Sequence, residues 1–121
     1  MSKPVLLIVD DEPDIRALCS SIVRRSFEFD VLESASLNEA KNVLLNRKPD
    51  YVLLDLQLKD GIGFDLLPFL FESNPNVKVL VVTAYNQCHE KKRAEDLGAH
   101  GLMGKPFKSD DLVERISEMA R

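Results

Sequence analysis

A chain of 121 residues that is 45% hydrophobic and 30% charged has the composition of one globular domain, able to bury a core without disulfides or structural metal, and this excludes a disordered or fibrous protein. The formal charge of −4 argues against a surface built to bind nucleic acid directly, and no apolar run approaches the ~20 residues needed to span a bilayer. Cys19 and Cys88 form no CxxC and no His/Cys cluster at metal spacing, and the amino end is unlike a signal peptide, so a reduced, cytoplasmic domain over residues 1–121 is expected.

Val5-Leu6-Leu7-Ile8-Val9 is an apolar run that stops at Asp10-Asp11-Glu12, as a buried strand does when its end delivers carboxylates to a site. Pro13 suits a first helical turn, and Ile15, Leu18, Cys19, Ile22 and Val23 form an apolar stripe behind it. A second run covers 29–33, and Ser36-x-x-Glu39 is a capping box ahead of Ala40, Val43 and Leu44. The third run, 51–55, ends on Asp55 and leads into a loop from Leu56 to Gly61.

Helical spacing over Phe64–Ser73 is interrupted by Pro68, which would cost up to ~3 kcal/mol in a helix interior. That helix is therefore kinked or begins later than its pattern. The run 77–83 ends on Thr83, and a charged helix containing His89, Lys91, Lys92 and Arg93 stops near Gly98. A fifth run, 100–104, meets Lys105-Pro106, and Ser109-Asp110-Asp111 opens a last helix bearing Leu112, Val113, Ile116 and Met119.

Five apolar strands alternating with helices make a parallel sheet covered on both faces. In an open, doubly wound sheet the site forms beyond the carboxyl ends of the strands, where Asp10, Asp11, Asp55, Thr83 and Lys105 all stand. Carboxylates 4 Å apart repel by about 4 kcal/mol at an effective dielectric near 20, so a cation should hold them, and Mg²⁺ is the oxygen-seeking choice. Asp55 then reads as a nucleophile toward phosphorus, with Lys105 offsetting charge and Thr83 offering a hydroxyl. A cis Lys105-Pro106 bond would be one way to aim the ammonium inward, although trans is the commoner form.

Asp10-Asp11, Asp55, Thr83-Ala84 and Lys105-Pro106-Phe107, at these spacings, resemble the receiver domain of bacterial two-component response regulators over essentially the whole chain. The resemblance implies a flavodoxin-like, chemotaxis-regulator-like α/β fold with a five-stranded sheet in the order 2-1-3-4-5 and five flanking helices. It implies that Asp55 accepts a phosphoryl group from a phosphohistidine on a sensor histidine kinase or phosphotransfer protein. Asp10, Asp11, Asp55 and the Gln57 backbone carbonyl would hold Mg²⁺, and Thr83 and Lys105 would contact the phosphoryl oxygens. Such a domain is a signalling module rather than a classical enzyme, catalysing its own phosphoryl transfer and slow autodephosphorylation. Its output face would be the fourth helix, fifth strand and fifth helix, toward an output partner or effector that the sequence does not name.

One position departs from the family pattern. Where receivers commonly carry Tyr or Phe three residues before the lysine, this chain has Leu102, and the expected switch residues are Thr83, Tyr85 and Leu102. Two other readings fare worse. A haloacid-dehalogenase-type phosphatase needs Asp-x-Asp after its first strand, and a flavodoxin-like cofactor binder needs a phosphate-cradling first loop where this one is acidic. A degenerate receiver used only for contact is opposed by the intact Asp55, Thr83 and Lys105.

Overall fold

Val, Leu and Ile dominate the central strands because those strands are buried on both faces, and the alternation of their side chains divides the core in two. The computed structural model describes residues 3–84 and 88–121. The chain runs β1 (Val5–Val9), α1 (Pro13–Ser26), β2 (Asp30–Ser34), α2 (Leu37–Leu44), β3 (Tyr51–Leu54), β4 (Gln57–Leu58), β5 (Gly61–Ile62), α3 (Leu67–Ser73), β6 (Lys78–Thr83), α4 (Cys88–Asp96), β7 (Gly101–Gly104) and α5 (Ser109–Ala120). The main sheet is parallel in the order β2-β1-β3-β6-β7, which is the expected 2-1-3-4-5 once the small antiparallel β4-β5 hairpin is set aside.

Leu7, Val9, Val52, Leu54, Val79 and Val81 face one core with Ala40 of α2, Leu70 of α3 and Ala94 of α4. Leu6, Ile8, Leu53, Leu80 and Val82 face the other, against Cys19, Ile22 and Val23 of α1 and Leu112 and Ile116 of α5. Each fully buried Leu or Ile contributes on the order of 2 kcal/mol of transfer free energy, so this two-sided core is the main source of the sheet's rigidity.

Local sequence explains most element ends. Pro13 occupies the first turn of α1, and Ser36 caps α2, its Oγ accepting from the Glu39 amide at 3.1 Å; Glu39 Oε1 reaches back past the cap to accept from the Ala35 amide at 3.4 Å, so only the Ser36 half of the expected capping box forms. Gly98, at φ +97°, follows α4 in the left-handed region that glycine tolerates. Pro68 resolves in favour of a late start: residues Gly63–Leu66 form a 3₁₀ turn, and Pro68 falls in the first turn of α3, where its missing N–H costs nothing. The expected α1 stripe needs one correction. Cys19, Ile22 and Val23 are buried, but Leu18 is 42% exposed, because the contact with the sheet is centred on the 19/22/23 side of the helix. No helix among the described residues is long and apolar enough to cross a membrane.

Candidate functional site

The ladder extends one residue past each strand and so sets the positions of the side chains beyond. Asp10 donates its amide to the Ser34 carbonyl at 3.1 Å, Asp55 to Val9 at 2.9 Å, and Lys105 to Thr83 at 2.9 Å. Thr83 is the last residue of β6, pairs with Gly104 and is fully buried. Four strand ends thereby bring Asp10, Asp55, Thr83 and Lys105 to one edge of the sheet.

Asp10 and Asp55 are 4% and 5% exposed, and the Lys105 ammonium lies between them. Its Nζ donates to Asp10 Oδ2 at 2.8 Å and to Asp55 Oδ2 at 3.1 Å, with Glu12 Oε1 at 3.4 Å. The second oxygens are also engaged: Asp10 Oδ1 accepts from the Glu12 amide at 2.9 Å, and Asp55 Oδ1 from the Gln57 amide at 3.3 Å. Arg16 of α1 donates to the Asp10 carbonyl at 2.7 Å and so braces the turn between β1 and α1.

Burial lifts the Asp55 carboxyl above its ordinary range, an effect opposed by the charge and hydrogen bond of Lys105 and by the Gln57 amide. For Lys105, burial alone would lower the ammonium, but the hydrogen bond to Asp10 and the charge of Asp55 outweigh it and hold it above its ordinary value. The lysine is thus a firmly protonated counter-ion. The Cys19 thiol, behind the site in the α1 core, is pushed up to about 12, first by burial and then by the charge of Asp10.

Carboxylate oxygens of Asp10, Asp11, Glu12 and Asp55 lie within 4.8 Å of one another. An all-oxygen, anionic donor set of this kind fits a hard divalent cation such as Mg²⁺ and does not fit a thiolate- or imidazole-seeking metal. Asp11, Glu12, Asp55 and Lys105 open on a cavity of about 570 Å³ whose walls include Gln57 and Ile62 of the hairpin, Thr83 and Ala84. Glu12, legible in the sequence as part of the acidic run but not among the expected metal ligands, joins the cluster.

The loop beyond Asp55 is tightly built. Gly63 donates its amide to the Leu56 carbonyl at 2.8 Å, and a Cβ on Gly63 would sit 2.0 Å from the Asp55 carbonyl oxygen, so only glycine fits. The Lys105-Pro106 bond is cis. Leu102 is buried in the core on the α4 side of the sheet, the one that also holds Ala94 and Ala99, while the Leu102 carbonyl accepts from Arg115 of α5 at 3.1 Å. Tyr85 lies outside the described residues. His89 pairs with its neighbour Glu90 at 2.8 Å, and His100 Nδ1 accepts from the Val79 amide at 3.3 Å; neither belongs to the acidic cluster.

A family model described as the response regulator receiver domain matches residues 6–117. The chain is 34% identical over 114 residues to the photosynthetic apparatus regulatory protein RegA of Rhodovulum sulfidophilum, covering 93% of this chain and 61% of that protein. It is 26% identical over 118 residues to the sporulation initiation phosphotransferase F of Bacillus subtilis, covering 98% and 94% respectively. The chain therefore spans about 61% of the length of RegA but nearly all of the shorter relative. Among solved structures, a CheY-like receiver domain protein from Methanospirillum hungatei JF-1 superposes with a TM-score of 0.88 at 28% identity, covering 97% of this chain and 93% of that one. Sheet order, strand-end chemistry and these matches agree that the chain belongs to the response regulator receiver domain family of two-component signalling.

Proposed function

We propose that residues 1–121 form one phosphoacceptor receiver domain in which Asp55 takes a phosphoryl group from a phosphohistidine of a sensor histidine kinase or phosphotransfer protein, in a Mg²⁺-dependent reaction in the cytoplasm. The observation that carries this reading is the Lys105 ammonium seated between the buried carboxylates of Asp10 and Asp55, 2.8 and 3.1 Å away, at the mouth of an open cavity. A carboxylate already neutralised on one side can accept an anionic group, whereas an isolated buried pair of acids would repel it.

Asp10, Asp11 and Asp55, with the Gln57 backbone carbonyl, would hold the cation, and the geometry adds Glu12 as a neighbour. When bound, Mg²⁺ supplies charge neutralisation for the incoming phosphoryl oxygens. An Asp55 carboxylate oxygen attacks phosphorus, the bond from phosphorus to the donor imidazole nitrogen breaks with its electron pair going to that nitrogen, and the ring, already protonated on its other nitrogen, leaves as neutral imidazole. Lys105 exchanges part of its contact with the acids for a phosphoryl oxygen, and the Thr83 hydroxyl provides a further donor. The group is later lost by attack of water, which returns Asp55 to its carboxylate.

The added charge acts on a local two-state element. Thr83 ends β6 and leads directly into the 84–90 segment that includes Tyr85, so movement of the hydroxyl reorders the entry to α4. With Leu102 buried in the α4-side core, the path to the output face passes through packing against Ala94 and Ala99 rather than through a rotating ring. Incubation with acetyl phosphate and Mg²⁺, followed by intact-mass measurement, should add one phosphoryl group to the parent and none to Asp55→Ala. A parent that stays unmodified, or a variant that is modified equally, would defeat the proposal. Steady release of phosphate without an accumulating adduct would indicate a phosphatase instead.

A further inference from the structure

Outside the acidic cluster, the tip of the β4-β5 hairpin is held by a contact that spans more than twenty residues of sequence. Asp60 Oδ1 accepts from the Leu37 amide at 2.9 Å, and Oδ2 accepts from the Asn38 amide at 3.0 Å. Both belong to the first turn of α2, whose next amide, that of Glu39, is already taken by Ser36. Gly61, at φ +152°, brings the backbone against the same turn, since a Cβ there would lie 2.6 Å from Leu37 Cδ1. At its other end the hairpin returns to the site: Gln57 pairs with Ile62, the Gln57 amide donates to Asp55, and Gly63 packs on the Asp55 carbonyl.

We propose that Asp60 is a positioning residue for the site: by gripping α2 from the hairpin tip it fixes the backbone from Asp55 to Gly63 and with it the Gln57 carbonyl. A two-stranded hairpin with two residues per strand has almost no stability of its own, so its geometry must be imposed from its ends. Gly63 imposes it on the Asp55 side and Asp60 on the α2 side. The inference rests on the cation-dependent reading given above.

The experiment compares the parent, Asp60→Ala, Asp60→Asn and Ser36→Ala by Mg²⁺ titration calorimetry and by amide hydrogen exchange of residues 56–62 in chelator. Ser36→Ala removes a cap from the same helix turn without touching the hairpin, so it reports on helix capping alone. Asp60→Ala should weaken Mg²⁺ binding by about tenfold, the lower end of the effect of residues that orient metal ligands, and should speed exchange at 56–62. Asp60→Asn, which keeps one acceptor oxygen, should recover part of both and carries the test should the alanine variant not fold. Ser36→Ala should lower the melting temperature while leaving Mg²⁺ affinity and hairpin exchange at parent values. Equal loss of affinity in Ser36→Ala and the Asp60 variants, or parent-like affinity in the latter, would overturn the inference and leave Asp60 a helix cap. A parent that binds no Mg²⁺ would defeat the phosphoacceptor reading, and this inference with it.

Discussion

Replacing Lys105 with Met keeps the aliphatic stem but removes the charge between Asp10 and Asp55, both at most 5% exposed. Two unit charges within 4.8 Å then face each other without a counter-ion, a repulsion of about 3.5 kcal/mol at an effective dielectric near 20. Breaking a buried pair by removing one partner typically costs about 3–5 kcal/mol, so the electrostatic figure falls in the expected range. In chelator the variant should lose about 3 kcal/mol in urea unfolding, which for a domain this size is a fall in Tm on the order of 10 °C. The same vacated charge makes the acids a better cation site. Mg²⁺ at about 100 times its Kd stabilises by about 2.7 kcal/mol, and at any given concentration the variant should gain more than the parent. Unchanged stability in chelator, or a larger Mg²⁺ gain in the parent, would refute the assignment of Lys105 as the counter-ion of the carboxylates.

Gly63→Ala should cost about 1–3 kcal/mol in chemical denaturation, since its Cβ would lie 2.0 Å from the Asp55 carbonyl oxygen and the backbone must move. The shift should also slow modification by acetyl phosphate. Burial, and secondarily the Lys78 ammonium, hold the His100 imidazole below its ordinary value of 6.5. The unfolded chain therefore binds the extra proton first, so this contribution to stability is complete above about pH 6.5 and is lost as pH falls toward the folded value. Thermal melts between pH 7.5 and 5 should show that decline, and His100→Gln should flatten it. The Cys19 thiol, 2% exposed and pushed up to about 12, should react with iodoacetamide only as fast as the domain unfolds, as peptide mapping over time would show.

The sheet and four of the site residues were legible because a parallel strand buried on both faces is a continuous apolar run, and the first polar residue after it marks the strand's carboxyl end. Val9-Asp10, Leu54-Asp55, Val82-Thr83 and Gly104-Lys105 all follow that rule. The hairpin was not legible. Gln57–Leu58 and Gly61–Ile62 are too short to show a period, and the sequence Leu56–Gly61 reads only as a loop. The role of Asp60 depends on α2, twenty-two and twenty-three residues away, so no local pattern contains it. Pro68 announced a break without saying which of two geometries it took. Leu18 fits the apolar spacing of α1 yet lies beyond the edge of the sheet contact, a distinction set by packing and not by period.

The central claim is that the Asp55 side chain itself forms the acyl phosphate. Reduction of the acetyl-phosphate-treated protein with borohydride converts an aspartyl phosphate to homoserine, and tandem mass spectrometry of its peptides locates the changed residue. Homoserine is expected at position 55 and at no other aspartate; homoserine at Asp10 or Asp11, 5-hydroxynorvaline at Glu12, or no reduced residue in a protein that had gained phosphate, would contradict this assignment.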